Sequence, residues 1–141
     1  MQYRTLGRTG LRVSEMGVGG AQVGIRNYTE TWEPTGEAEQ QSILDALNRA
    51  LDLGLNYIDT APAHGDGVSE EVLGRVVGKR REECIVASKT SARDPEGITA
   101  SVENSLRRLR TDSPAASCTR RSFKEWGSPS CGRSPAVSSN G

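Results

Sequence analysis

The chain has 141 residues, of which 34% are hydrophobic and 4% aromatic, and its formal net charge is zero. A neutral chain has no overall attraction for nucleic acid or anionic lipid, and no apolar run is long enough for a signal peptide or a membrane span. Three cysteines, at positions 84, 118 and 131, and a single histidine predict neither a disulfide framework nor a metal site. We expect a cytoplasmic protein with reduced thiols, in which Cys84 is a small buried residue.

Residues 1–112 alternate between strand-like and helix-like segments. A predicted hairpin opens the chain, and three units follow in which a strand precedes an amphipathic helix. Short connections between such units favour a parallel sheet with right-handed crossovers. The hairpin strands are predicted at 3–6 and 11–13, the sheet strands at 16–20, 56–61 and 84–88, and the helices at 39–53, 69–77 and 98–109.

The ends of these elements carry local signals. Gly54 follows the first helix, where a glycine commonly ends a helix. Ser69 suits the N-cap of the second helix, and the carboxylates of Glu70 and Glu71 would complement its positive end. The strand at 84–88 is apolar along nearly all of its length, which is typical of a parallel sheet covered on both faces.

Residues 113–141 have a different composition. They are rich in serine, proline and glycine, with one valine and neither leucine nor isoleucine. Such a segment buries too little apolar surface to offset the entropy lost on ordering. The sequence therefore predicts one structural unit over 1–112 and a low-complexity, disordered tail over 113–141.

Two charged residues occupy equivalent places in the predicted sheet. Asp59 lies at the end of the second strand and Lys89 at the end of the third. The carboxyl ends of parallel strands in α/β folds meet at one rim, where ligands bind. A carboxylate facing an amine at that rim suits proton handling, but a structural salt bridge explains the spacing equally well.

Four segments resemble the first part of an aldo-keto reductase: YRTLGRTGLRVSEMGVGG, ALDLGLNYIDTAPAHGDGVSEEVLGRVV, CIVASKT and SVENSLRRLRTD. The resemblance covers residues 2–112, and its most specific part is the pattern D-T-A-x-x-(Y)-G followed by G-x-S-E-x-x-L-G. It implies a (β/α)8 TIM barrel with a hairpin across its bottom, of which this chain holds the hairpin and about three β-α units. It also implies bound NADP(H) or NAD(H), and hydride transfer between the nicotinamide and a small-molecule aldehyde, ketone or sugar.

The resemblance assigns roles to individual residues. Asp59 and Lys89 match the aspartate and lysine of the family's catalytic tetrad, and Asp59 would also lie near the nicotinamide ribose. Gly20 and Ala21 match the loop that approaches the nicotinamide. His64 stands at the position of the tetrad tyrosine, so the implied catalytic residues are Asp59, His64 and Lys89.

A histidine at position 64 changes the expected proton chemistry. The family's tyrosine donates a proton to the carbonyl oxygen, and it must therefore stay protonated near neutral pH. An imidazolium, with an ordinary pKa of about 6.5, should lose its charge beside Lys89. Neutral imidazole is a weak acid that can still polarise a carbonyl group, so impaired activity or none is expected of this chain.

The fourth tetrad residue of the family is a histidine at the end of the fourth strand, but SPAASCTRRS contains no histidine and no strand pattern. If Ser117 uses a TCN codon, residues 114–118 are encoded as CCN-GCN-GCN-TCN-TGY, and a shift of one base permits Leu-Leu-Leu-His. We therefore hypothesise a change of reading frame near Asp112 or Ser113, which truncates the family sequence after about residue 112. A fused low-complexity tail is the alternative. On either reading, the third sheet strand should have an open edge.

Three functions follow from these patterns. The first is an NAD(P)H-dependent aldo-keto reductase whose activity is impaired or lost in this chain. The second is a non-catalytic fragment or a cofactor-binding or regulatory module, because some barrels of this family are regulatory subunits. The third, a small open α/β nucleotide-binding protein, is disfavoured because the glycines at 17, 19, 20 and 24 do not form GxGxxG.

Overall fold

The structure is a computed structural model that describes residues 1–29 and 31–112 and the backbone of 116–119. After the opening hairpin, strands and helices alternate as the apolar patterning predicts, except that a short helix at 21–24, which was not predicted, precedes the first predicted one. A short 3-10 helix at Arg81–Glu83 precedes the fifth strand. The elements in chain order are β1 (Tyr3–Thr5), β2 (Arg12–Ser14), β3 (Gly17–Gly19), α1 (Ala21–Gly24), α2 (Glu37–Asp52), β4 (Tyr57–Asp59), α3 (Val68–Val77), β5 (Ile85–Thr90), α4 (Pro95–Leu109) and β6 (Ala116–Thr119).

Strands β3 to β6 form one parallel sheet in chain order. Gly19 of β3 lies opposite Asp59 of β4, which in turn lies opposite Ala87 of β5. The predicted parallel arrangement of the first three sheet strands is therefore confirmed. Every crossover between them contains a helix, so the loops that follow β3, β4 and β5 open at the same edge of the sheet.

Strand β6 corrects two expectations from the sequence. Residues 116–119 pair in parallel with Ala87–Thr90 of β5, so the segment after Asp112 does contain a strand, and the third sheet strand is not an open edge. The composition of residues 116–119 gives no sign of this strand, because the strand forms by pairing with the backbone donors and acceptors along the edge of β5. The remainder of the predicted tail, 113–115 and 120–141, lies outside the described residues.

The hydrophobic core lies between the sheet and its helices. Ile58 of β4 and Val86 of β5 are opposite each other in the sheet and fully buried. Cys84, immediately before β5, is buried, as predicted, and burial raises the pKa of its thiol. The helices contribute Leu47, Leu51, Val72, Leu73, Val76, Val77 and Leu109 to this core.

The predicted hairpin is confirmed as the antiparallel pair β1–β2. Asn56, just before β4, ties it to the sheet: its side chain accepts from the Ser14 amide at 2.7 Å and donates to the Arg12 carbonyl at 2.9 Å. The Tyr3 hydroxyl donates to the carbonyl of Gly54, which follows α2 with a φ of 88°. The hairpin thus packs at the amino end of β4, away from Asp59.

Helix α3 begins differently from the prediction. Its N-cap is Gly67, with a φ of 94°, and its first residue is Val68, whereas the sequence favours Ser69 as the cap. Ser69 is instead buried, and its hydroxyl donates to the carbonyl of Gly20 on a neighbouring strand end. Glu70 and Glu71 lie in the first turn of α3, as predicted, but Glu70 is fully buried. Partners on other strands have replaced local capping in this turn.

None of the helices in the described part of the chain is both long enough and apolar enough to cross a membrane.

Candidate active site

Asp59 and Lys89 meet at the carboxyl edge of the sheet, as the order of the strands predicts. Asp59 is the last residue of β4, and Lys89 is the next-to-last residue of β5. The Lys89 ammonium donates to the two Asp59 carboxylate oxygens at 2.6 and 2.7 Å, and to the Thr60 carbonyl at 3.0 Å. Three acceptors match the three hydrogens of an ammonium, so the head group of Lys89 is held in one place.

The exposure of this pair bears on the choice between a chemical and a structural role. The side chains of Lys89 and Asp59 are 35% and 41% exposed. An ion pair with this much solvent contact adds about 0–1 kcal/mol to stability. The pair therefore contributes little to stability, although all three hydrogens of the ammonium have acceptors.

His64 lies in the loop between β4 and α3, close enough to respond to the charges of the pair. Its backbone is fixed by hydrogen bonds from its own amide to the Ala61 carbonyl at 3.1 Å, and from the Ser69 amide to its carbonyl at 3.2 Å. Its Nδ1 atom is buried and has no hydrogen-bond partner among the described residues. The loop that carries His64 is thus held by its backbone hydrogen bonds.

The pKa of His64 lies below its ordinary value. Burial of the ring is the largest cause, the positive charge of Lys89 adds to it, and the carboxylates of Asp59 and Glu70 oppose it. The lowered pKa agrees with the expectation from the sequence. That expectation attributed the change to Lys89, whereas burial is the larger cause. Near neutral pH the imidazole is therefore uncharged, which makes it a weak proton donor.

The predicted cofactor loop begins where β3 ends. The Gly20 amide donates to the Asp59 carbonyl at 2.7 Å, and a Cβ atom at Gly20 would come within 3.0 Å of that oxygen. Gly20 is therefore buried against β4, while Ala21 is half-buried beside it. The open position is Gly19, where an added Cβ would meet nothing within 4 Å.

Sequence reasoning missed three contributors to this edge. Gly19 lacks a side chain next to Asp59, and the Thr60 carbonyl is the third acceptor of Lys89. The third is Glu70, which shares the buried side of α3 with its apolar residues. Its place in the helical stripe was a usable signal, because a carboxylate on a buried face needs a partner.

The Aldo/keto reductase family profile matches residues 15–115. The aldo-keto reductase YhdN of Bacillus subtilis is 33% identical over 124 residues, which cover 79% of this chain and 35% of YhdN. The chain that matches this family thus contains a parallel sheet with an aspartate–lysine pair at its carboxyl edge. The chain belongs to the aldo/keto reductase family.

Solved structures agree with this assignment. The aldo-keto reductase AKR11C1 of Bacillus halodurans in its holo form superposes with a TM-score of 0.67 at 31% identity, covering 84% of this chain and 40% of that one. An aldo/keto reductase of Klebsiella pneumoniae, solved with NADP and acetate, gives a TM-score of 0.63 at 31% identity, covering 77% and 35%. These neighbours are (β/α)8 barrels, and the described sheet corresponds to part of one, as predicted. The chain spans about a third of the length of the curated relatives it matches.

Proposed function

We propose that this chain carries the aspartate–lysine part of an NAD(P)H-dependent oxidoreductase site of the aldo-keto reductase type. The reaction is hydride transfer between a nicotinamide and a small-molecule aldehyde, ketone or sugar, in the cytoplasm. The observation that carries the proposal is the contact of the Lys89 ammonium with both oxygens of Asp59, at 2.6 and 2.7 Å. A neighbouring structure solved with NADP supports the choice of cofactor.

The residues at the edge of the sheet suit a flat ring. Gly19, opposite Asp59, leaves open space where any other residue would place a Cβ atom. Gly20, Ala21 and Asp59 would hold the nicotinamide end there, with Gly20 fixed by the hydrogen bond that its amide donates to the Asp59 carbonyl. The nicotinamide, when bound, supplies or accepts the hydride.

Lys89 and Asp59 would prepare the site for the charge that develops on the substrate oxygen. A fixed positive charge near that oxygen stabilises it more when the charge need not move during the reaction. The Asp59 carboxylate and the Thr60 carbonyl hold the ammonium in place. Asp59 therefore orients Lys89, and Lys89 supplies the electrostatic stabilisation.

His64 would be the residue facing the substrate oxygen, and it limits the rate. Because its pKa is lowered, chiefly by burial, little imidazolium exists near neutral pH. A neutral imidazole donates a hydrogen bond but transfers a proton poorly. We therefore expect this chain to turn substrate over slowly or not at all.

A cofactor-binding module without turnover is the second candidate. The same observation on His64 favours it, because a weak acid at this position impairs proton transfer while leaving Gly19 and the Asp59–Lys89 pair intact. The two candidates predict the same binding and different rates.

Two measurements on the full chain test these candidates: the first tests both of them, and the second separates them. In the first, NADPH and NADH are titrated while backbone amide resonances are followed by NMR, which detects weak binding. Shifts at Gly19, Ala21 and Asp59, without shifts at Gly10 in the hairpin, are the expected result. If neither nucleotide moves these resonances at millimolar concentration, both candidates are wrong.

The second measurement is NADPH-dependent reduction of 4-nitrobenzaldehyde. We expect His64→Tyr to raise the rate and the matched control His64→Phe, which lacks the hydroxyl group, to leave it at background. Nucleotide binding without turnover in the original chain and in His64→Tyr would favour the module. Appreciable turnover by the original chain would contradict the expected weakness of His64.

A further inference from the structure

The first turn of α3 buries two consecutive polar side chains, Ser69 and Glu70. Both are fully buried between the helices and the sheet. Burying a carboxylate is costly unless its oxygens are hydrogen-bonded or paired with a cation. The partners of Glu70 therefore indicate what this buried group holds in place.

Glu70 joins two neighbouring elements through its two oxygens. The Ser88 hydroxyl donates to Oε1 at 2.7 Å, and Nη1 of Arg108 on α4 lies 3.3 Å from Oε2. Ser88 immediately precedes Lys89 on β5, and alternation along a strand places these two side chains on opposite faces of the sheet. Glu70 thus holds the strand from the helix side at the residue next to Lys89.

Ser69 makes the corresponding contacts on the Asp59 side. Its hydroxyl donates to the Gly20 carbonyl at 2.7 Å and lies 2.9 Å from the Thr60 hydroxyl. Thr60 immediately follows Asp59, and its carbonyl is the third acceptor of Lys89. Two adjacent residues of one helical turn therefore contact the chain neighbours of both members of the ion pair.

We propose that Glu70 is a positioning residue for the Asp59–Lys89 pair, acting through Ser88, with Ser69 as its counterpart on the strand that carries Asp59. The significance of the pair rests on the proposed function, but the positioning itself is a matter of geometry. A purely structural role is the competing explanation, in which Glu70 serves only to bind Arg108 and fasten α4 to α3.

The test measures how firmly the Lys89 ammonium is held. The measured quantity is the rate of hydrogen exchange of this group in NMR spectra of the full chain labelled with 15N-lysine. The sequence has only three lysines, and Lys89→Arg assigns the signal. We expect slow exchange in the original chain, because three acceptors hold the ammonium. Glu70→Leu, which cannot accept a hydrogen bond, should accelerate exchange several-fold.

Further variants show whether faster exchange results from lost positioning, from the lost charge of Glu70 or from the lost contact with Arg108. Glu70→Gln retains an oxygen that can accept from Ser88, so it should preserve much of the slow exchange. Ser88→Ala leaves the Glu70–Arg108 pair intact but should accelerate exchange as Glu70→Leu does, and Ser88→Thr should restore it. Glu71→Gln removes the same charge one residue away, from a side chain that is 63% exposed, and should change nothing.

Unchanged exchange in folded Ser88→Ala would overturn the proposal, even if Glu70→Leu fails to fold. Equal acceleration by Glu70→Gln and Glu70→Leu would also overturn it, because charge and not positioning would then be the cause. The readout requires no turnover and no nucleotide. A failure of the proposed reductase function would appear in the NADPH titration and leave this result standing.

Discussion

Lys89 and Asp59 act on the pKa of His64 in opposite directions, although they are bound to each other. Burial is the largest cause of the lowered pKa of His64, Lys89 lowers it further, and Asp59 raises it. The pKa of His64 thus responds to both charges of the ion pair. Because His64 is the only histidine in the sequence, its imidazole signals can be followed without ambiguity.

The first prediction concerns the opposite effects of Lys89 and Asp59 on the pKa of His64. Lys89→Met should raise the pKa of His64, because the nearby positive charge is lost, and Asp59→Asn should lower it, because the nearby negative charge is lost. The measurement is an NMR titration of the imidazole. Lys79→Met, which removes an exposed charge just beyond the carboxyl end of α3, is the control and should leave the pKa of His64 unchanged. Shifts in the same direction for both variants would contradict the arrangement described here.

The second prediction concerns stability and pH. The folded-state pKa of His64 lies below the ordinary value of 6.5, so in the range between the two the unfolded chain binds more protons than the folded one. Stability should therefore be highest above about pH 6.5 and fall as the pH drops through that range. Urea denaturation between pH 8 and pH 5 measures this slope. His64→Gln should flatten it, whereas an equally steep slope in that variant would assign it to other groups.

The meeting of Asp59 and Lys89 could be predicted from the sequence because it depends on strand order alone. Apolar strands joined by amphipathic helices form parallel sheets, and parallel strands end at the same edge. The pattern that placed Asp59 and Lys89 at strand ends therefore also placed them together. The register of Gly19 against Asp59 needed the structure, because hydrogen bonds between strands set it.

The features that could not be predicted depend on distant partners. Strand β6 forms on the edge of β5, and its composition gives no sign of this because strand formation depends on a neighbouring edge. Ser69 has the chemistry of an N-cap, but strand ends that are distant in sequence provide its partners. Glu70 is fully buried because Ser88 and Arg108 contact it, and neither is near it in the chain.

The third prediction tests the core. Leu73 on α3 is fully buried, and truncating such a side chain to alanine costs about 2–5 kcal/mol because a cavity remains. Leu73→Ala should lower the free energy of unfolding by that amount in a denaturant titration. Leu53→Ala, at a position that is 57% exposed, should stay within about 0.5 kcal/mol. Equal losses would mean that α3 does not pack against the sheet as described.

The fourth prediction concerns the reading frame near Asp112. The family profile ends at residue 115, while the compositional change begins at 113. The nucleotide sequence around codons 110–120 should contain an alternative frame that encodes an apolar strand ending in histidine, and the same frame downstream should encode further β-α units. The absence of such a frame would leave a fused segment as the explanation.

The fifth prediction compares two glycines with left-handed backbones. Gly67, at the start of α3, has a φ of 94°, and a Cβ atom there would collide with the guanidinium of Arg108; Gly10, in the hairpin turn, has a φ of 76° and open space around it. Gly10→Ala should therefore cost only the backbone strain, about 1–2 kcal/mol.

Gly67→Ala should cost that strain and about 1–3 kcal/mol more, because displacing Arg108 leaves the buried carboxylate of Glu70 without its cation. Denaturant titration of both variants measures the difference. The double variant Gly67→Ala, Arg108→Ala separates the two causes: in it, the alanine at 67 should add only the backbone strain to the cost of Arg108→Ala. A full additional loss in the double variant would show that the collision with Arg108 is not what makes glycine necessary at the start of α3.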